Sequence, residues 1–310
     1  MVKKLKIFNN FNIPGKFKKS IILIGNFDGL HSGHQKLFEL AKKYKTKYKS
    51  KVGVVTFDPI PKMFFNTKIK NYRISNFNQK VIYLKKFGVD FVFNKKFDKN
   101  FSKITYYQFI KNILSKKLRS KFIFVSNNFR FGHKREGDVA MLKKFENDFS
   151  YNLINPTPLM KNKKIISSTI IRKLLEEGKL SKANTFLKRN WEIEGKVQRG
   201  RMMGQKIGFP TCNIDIGNYV IAKPGVYAVK TRINDRRKFY KGIANLGYRP
   251  TFNQKKILLE VNIFNFSGNL YNKKLSVEFL KFIRKEKKFK NVNQLKNQIK
   301  TDLSIAKKTK

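Results

Sequence analysis

Short apolar runs alternate with helical periods through the first half of the chain. Ser20 to Ile24 is a strand-length apolar run, and Leu37, Leu40, Ala41, Tyr44 and Tyr48 then recur on one face of a helix. Lys51 to Phe57 reads as the next strand. Phe77, Val81 and Leu84 mark a helix stopped by Gly88, and Val89 to Phe93 follows as strand. Tyr106, Phe109, Ile110, Ile113 and Leu114 form a further apolar stripe before a fourth strand, Lys121 to Val125. Strand–helix alternation of this kind predicts an α/β, Rossmann-like domain: a parallel sheet covered by helices, with ligands beyond the carboxyl ends of its strands.

After two further helices, Ser168 to Glu177 and Leu180 to Leu187, the period changes. Trp191 to Val197, Gly225 to Ile233, Phe239 to Ala244, Ile257 to Phe266 and Leu275 to Phe282 have strand character, which predicts a small antiparallel β-barrel. Leu295, Ile299 and Leu303 place a terminal helix over Asn291 to Lys307. The expected domains are therefore residues 1–187 and 188–310.

Composition adjusts this picture in three ways. A formal charge of +51 invites a polyphosphate partner, but the lysines run along the whole chain, and the excess of Lys, Asn, Ile, Phe and Tyr follows A/T-rich codons. We expect weak, salt-sensitive binding to nucleic acid and no dedicated nucleic-acid partner. Cys212 is a single cysteine and makes no internal disulfide. Met1 to Lys6 is basic without a signal-length apolar run, and no stretch has membrane-spanning length, so a cytoplasmic location is expected.

Candidate chemistry gathers at strand ends. Gly25 to His34, GNFDGLHSGH, joins an apolar strand to an amphipathic helix. Ser32 and Gln35 fit a capping box, making Ser32 the expected N-cap. Glycines at 25, 29 and 33 permit close approach of phosphates to helix-start amides, and His31 and His34 can offer a hydrogen bond or positive charge to phosphoryl oxygens. Thr56 to Pro61 and Asn127 to Gly132 close two other strands, where ordinary turn chemistry is the competing reading. Ile166 to Arg172 sets hydroxyls at a helix start with a cation one turn in, an arrangement suited to phosphate or to a plain N-cap. In the second half, Gly200 to Asn213 is a Gly-rich loop in which Thr211 and Asn213 can offer hard oxygens suited to magnesium (Mg2+) with ATP phosphates, a plain structural loop being the competing reading. Glu260, inside an apolar strand, is either a solvent-facing carboxylate or a general base.

GNFDGLHSGH, TFDPIP, NFRFG with Arg135 and Gly137, and SSTIIR occur in the order found in the FMN adenylyltransferase module of bacterial bifunctional riboflavin kinase/FAD synthetases, which this half resembles. The second half resembles the riboflavin kinase module through GKVQRGRMMGQKIGFPTCN, PGVY, NLGYRPTF, LLEV, NLY and FIRKEKKF. The resemblance implies a six-stranded barrel and two ATP-dependent steps, riboflavin to FMN and FMN to FAD with release of pyrophosphate. It implies that Gly25, Phe27, Asp28, Gly29, His31, Gly33, His34, Asn128, Ser168, Thr169 and Arg172 serve ATP or its phosphates in the first module. Phe57, Pro59 and Phe129 would meet the flavin there, and Arg284 in the second module. In the kinase it implies Gly204, Lys206, Gly208 and Pro210 around ATP, Thr211 and Asn213 on magnesium, and Glu260 as base for riboflavin's 5′-hydroxyl.

Four positions depart from the family pattern. Ile60 stands where a histidine is usual, and losing one charge-stabilising donor costs about 2.7–4 kcal/mol, so slow adenylylation is expected. Ser126 and Asn272 replace frequent glycines, and Cys212 a frequent alanine. The alternative reading is a monofunctional riboflavin kinase with a weakened adenylyltransferase domain. A third is a basic nucleic-acid-binding protein on an old nucleotidyltransferase fold. No oligomeric state is predicted.

Overall fold

Ile21 to Ile24 is buried at every position, as a strand covered on both faces requires. In the computed structural model, which describes residues 5–161, 164–199, 203–234, 238–250 and 255–309, this run is β2 (Ile21–Ile24). It belongs to a six-stranded sheet with β1 (Lys6–Phe8), β3 (Val52–Asp58), β4 (Phe91–Lys96), β5 (Phe122–Phe124) and β6 (Asn152–Ile154). The order is β1-β4-β3-β2-β5-β6, and every pairing is parallel. Alternate residues of β2 feed opposite cores: Ile22 and Ile24 pack with Val55, Phe93 and Ile110, while Ile21 and Leu23 pack with Phe38, Val54 and Leu84. The expected Rossmann-like sheet is present with two three-residue strands, β1 and β6, that the apolar pattern does not reveal, so the predicted fourth strand is the fifth in the chain.

Helices α1 (Ser32–Lys47), α2 (Pro61–Phe65) and α3 (Phe77–Lys86) follow β2 and β3. The stripe from Tyr106 opens with a single α-turn, Tyr106–Gln108, closed by a Thr105/Gln108 capping box. It continues as a π-helix over Phe109–Lys117, which buries Phe109, Ile110, Ile113 and Leu114.

A short hairpin, β7 (Met160–Lys161) with β8 (Lys164–Ile165), precedes the second unit. There β9 (Trp191–Gln198), β10 (Cys212–Asp215), β11 (Gly225–Ile233), β12 (Phe239–Pro250), β13 (Lys255–Ile263) and β14 (Lys274–Lys285) close an antiparallel barrel in the order β10-β13-β12-β11-β14-β9. Leu259 lies opposite Ile214 and Leu246, and Val277 opposite Ile193; all five are fully buried. The strand β10 is the correction here, since its residues read as the end of a Gly-rich loop. The terminal helix, Val292–Lys308, is capped by Asn291, whose side chain accepts from the Gln294 amide.

Packing divides the chain into residues 1–69 with 77–167, and residues 70–76 with 168–310. The sequence boundary after Leu187 assigns the helices Ser168–Glu176 and Leu180–Leu187 to the first domain, whereas packing joins them to the barrel. The segment 70–76 goes with them: Trp191 donates its indole N–H to the Ile74 carbonyl at 3.0 Å, and Asn71 donates to the Gly217 carbonyl at 2.6 Å. Gly200, Arg201 and Met202 of the glycine-rich loop, and Thr251 and Phe252 of NLGYRPTF, lie outside the described residues.

Candidate active sites

The loop after β2 holds three residues in the left-handed region, Phe27 (φ 45°), Gly29 (φ 76°) and Leu30 (φ 39°). Phe27 and Leu30 bury their side chains, which anchors the turn despite its strain. Helix α1 begins one residue earlier than the capping-box pattern predicts. His31 is the N-cap, and its Nδ1 accepts from the His34 amide at 3.4 Å. Ser32 is therefore the first helical residue, and its Oγ is buried without a hydrogen-bond partner. Gln35 does not return to the cap; its Nε2 donates to the Leu30 carbonyl at 2.9 Å.

The two histidine rings stack with centroids 3.7 Å apart, and His34 and Phe27 meet edge to face at 5.3 Å. Burial, then the neighbouring His31 and Lys80, holds His34 well below the ordinary histidine range. These surroundings disfavour the protonated ring, so of the two roles read from the sequence they favour hydrogen-bond donation over positive charge. Gly33 clears space for this pair: a Cβ there would lie 3.2 Å from the His31 ring and from the Ile166 carbonyl. Gly25 and Asp28 belong to the same loop; the Gly25 amide donates to the Val55 carbonyl at 3.1 Å, and Asp28 is buried.

At the end of β3, Phe57 sits 5.6 Å from the Phe101 ring, and Pro59 follows a cis peptide bond. Ile60 is 2% exposed and precedes α2 as its N-cap. Beyond β5 lies a cavity of about 370 Å³ lined by Asn127, Asn128, Phe129, Arg130, Arg135 and Asp138. Ser126, in the place of a glycine, donates its hydroxyl to Asn128 Oδ1 at 3.0 Å, and Phe129 stacks on Phe131. These ends of β2, β3 and β5 are adjacent in the sheet, where an open parallel sheet places its ligands.

Ser168 and Thr169 open the helix Ser168–Glu176 in the second unit. Arg172 is buried there, donating Nε to the Tyr72 carbonyl at 2.7 Å with its guanidinium 3.6 Å from the Tyr72 ring centroid.

On the barrel, Glu260 follows inward-facing Leu259 and so takes the opposite face. Strand register sets it between Asn213 of β10 and Asn245 of β12, with Gln198 of β9 beyond Asn213. Asn213 is 8% exposed, and its Oδ1 is buried without a hydrogen-bond partner. A buried acceptor in that condition costs about 1–3 kcal/mol unless something satisfies it. The loop leading to β10 is tight: Phe209 donates its amide to the Gly204 carbonyl at 2.8 Å, and Asn262 donates to the Pro210 carbonyl at 2.6 Å. Gly204 has no room for a Cβ, which would stand 2.4 Å from the Phe209 carbonyl, and Gly208 adopts φ 90°. Lys206 ends the short helix Met203–Lys206, and exposed Thr211 flanks β10. Arg284 is committed elsewhere: its Nε donates to both carboxylate oxygens of Asp302 at 3.0 and 2.9 Å, and its Nη1 donates to the Lys285 carbonyl.

Sequence reasoning passed over Asn245, Lys80 and Asp302. Asn245 lay within a quoted motif without a role. Lys80 and Asp302 carried no local signal, one being among 70 Lys and Arg residues.

Residues 14–170 match the FAD synthetase family, and residues 187–310 match the riboflavin kinase family. A bifunctional riboflavin kinase/FMN adenylyltransferase of Buchnera aphidicola subsp. Schizaphis graminum is 40% identical over 93% of each chain. The protein of the same description from Escherichia coli K12 is 35% identical over 91% of this chain and 90% of its own. A crystal structure titled as a macrolide-efflux protein from Streptococcus pneumoniae superposes with a TM-score of 0.86 at 29% identity, covering 98% of this chain and 99% of that one. A parallel α/β sheet and a closed barrel, each matched by its own family along the same polypeptide, with relatives 35–40% identical over more than nine-tenths of the chain, make this chain a member of the bifunctional riboflavin kinase/FMN adenylyltransferase family.

Proposed function

We propose that the barrel face carrying Asn213, Glu260 and Asn245 phosphorylates riboflavin, and that the loop carrying His31 and His34 adenylylates the resulting FMN. The single observation that best supports the kinase assignment is the register that sets Glu260 beside Asn213, whose buried Oδ1 lacks a hydrogen-bond partner. That orphaned oxygen, with the Thr211 hydroxyl close by in sequence, fits a hard cation that also takes ATP oxygens. When bound, magnesium would neutralise phosphate charge and orient the terminal phosphorus. Glu260 accepts the proton of riboflavin's 5′-hydroxyl as that oxygen attacks the γ-phosphorus of ATP and ADP leaves. The Gly204–Pro210 loop keeps side chains away from the nucleotide, with Lys206 as a candidate phosphate contact.

In the first unit, an FMN phosphate oxygen attacks the α-phosphorus of ATP and expels pyrophosphate. Loop amides about Gly29 and neutral His34 donate to the phosphoryl oxygens as charge accumulates. Asn128 and Phe129 border the cavity beyond β5, and Phe57 and Pro59 border the end of β3, where the flavin would lie. Ser168, Thr169 and Arg172 belong to the second unit, where Arg172 is held by the Tyr72 carbonyl; their phosphate role stands on the family resemblance alone. Arg284 would meet flavin only with the guanidinium face its ion pair leaves open. Riboflavin, FMN and ATP are the partners of this reading, which calls for no dedicated nucleic-acid partner, and dependence on cellular ATP favours a cytoplasmic location.

A product time course with riboflavin, ATP and magnesium tests both assignments, FMN appearing first and FAD second. Glu260→Gln should lower FMN formation by about 10²- to 10⁴-fold while supplied FMN is still converted to FAD. His34→Ala should do the reverse. Full FMN formation by the Glu260 variant would end the kinase assignment.

A further inference from the structure

Lys80 is 2% exposed, on a helix whose other lysines have solvent to point into. Lysine is almost never buried this far unless its ammonium finds partners. From α3 its Nζ reaches the Asn26 carbonyl at 2.7 Å and Thr56 Oγ1 at 3.1 Å. The Thr56 hydroxyl lies 3.3 Å from the same carbonyl. Asn26 follows β2 and directly precedes the left-handed Phe27, while Thr56 lies near the carboxyl end of β3. One ammonium therefore joins the ends of two neighbouring strands underneath the strained turn that leads to His31 and His34. We propose that Lys80 is a positioning residue for adenylyl transfer, holding the Gly25–Leu30 loop in the geometry that presents its amides and His34 to the nucleotide. This rests on the adenylyltransferase reading of the first unit.

Two consequences follow from geometry and charge together. A carbonyl tethered by an ammonium cannot rotate away, so the Phe27 turn keeps its shape without the nucleotide present. The fixed charge also lies near His34 and, with burial and stacked His31, disfavours its protonation. Among the described residues, the charged and titratable groups that bear on His34 are His31 at the N-cap of α1 and Lys80 on α3. In this arrangement the Lys80 ammonium supplies positive potential beside the loop, and the protonated form of His34 is disfavoured.

Lys80→Met in the full chain removes the ammonium while keeping most of the side-chain volume. We expect FAD formation from FMN to fall about 100-fold, chiefly in kcat, as expected for a misplaced site. FMN formation from riboflavin by the same protein should be unchanged, which reports an intact barrel. The chain has three histidines, so ring resonances can be followed individually by NMR. The His34 midpoint should move up toward the ordinary value of about 6.5. Thr56→Val keeps the charge and removes one acceptor; about a tenfold loss of FAD formation with an unshifted His34 midpoint is expected. Near-normal FAD formation by either variant would overturn the proposal, as would a Lys80→Met protein whose His34 midpoint does not move. Absence of FAD formation by the unaltered protein would instead defeat the adenylyltransferase reading, which the histidine titration does not depend on.

Discussion

Replacing Asn213 by leucine should separate the stability of the empty barrel from its capacity for Mg·ATP. The residue sits on β10 opposite Glu260, 8% exposed, with an unsatisfied Oδ1. In the absence of ligand that acceptor costs about 1–3 kcal/mol. Leucine has similar length and removes the cost, while its branching brings a packing penalty expected to stay below about 1.5 kcal/mol. The net lies between a loss of about 0.5 and a gain of about 3 kcal/mol, centred on a gain of about 1 kcal/mol. At about 2–4 °C per kcal/mol for a unit of this size, the ligand-free melting temperature should fall by no more than about 2 °C and rise by up to about 12 °C. Mg·ATP at a hundred times its Kd stabilises the unaltered protein by about 2.7 kcal/mol, and the variant should show none of that gain. Thermal melts with and without Mg·ATP, followed by an FMN-formation assay, read both effects. A variant that melts more than about 2 °C lower when empty and keeps the ligand-induced rise would refute the reasoning, because the oxygen would then be a structural group.

Ile60→His restores the donor usual at that position; if it reaches the phosphates, FAD formation should rise by up to about 10²- to 10³-fold, and an unchanged rate would mean that the buried side chain points away from them. Asp302→Ala leaves Arg284 without its carboxylate; because Arg284 keeps 21% side-chain exposure, the loss should sit near the lower end of the buried-pair range, about 3 kcal/mol, and should appear as faster amide exchange in the helix Val292–Lys308. His34 has a depressed folded-state pKa, so the unfolded chain takes up the proton first on acidification. Its contribution to the first unit is complete above about pH 6.5 and is lost as the pH falls, which a denaturant series from pH 8 to 5 should resolve as declining stability; replacing His34 by Gln should flatten that decline.

What could be read from the chain divides by the distance over which each feature is determined. The sheet was legible because β2, β3 and β4 are continuous apolar runs, the signature of strands covered on both faces. The three-residue strands β1 and β6 were not, since so short a segment has no period and exists only through its neighbours. The N-cap shows a local rule misapplied by one residue: Ser and Gln at the right spacing suggested a capping box, yet the left-handed Leu30 sets His31 in extended geometry, and its ring reaches the amide that Ser32 was expected to leave free. Lys80 was hidden by composition, because one buried lysine cannot be distinguished from dozens of solvated ones without knowing which face of α3 is covered. Glu260 carried a local clue, a carboxylate in an apolar strand, but its partners did not. Asn213 and Asn245 come from two other strands, and only the pairing of β10 and β12 on either side of β13 sets them in one row with it. The residue types were thus readable one motif at a time, while their chemistry depends on a register that no single motif contains; a slip of one residue between β10 and β13 would turn the carboxylate away from Asn213 and leave both motifs intact without a site.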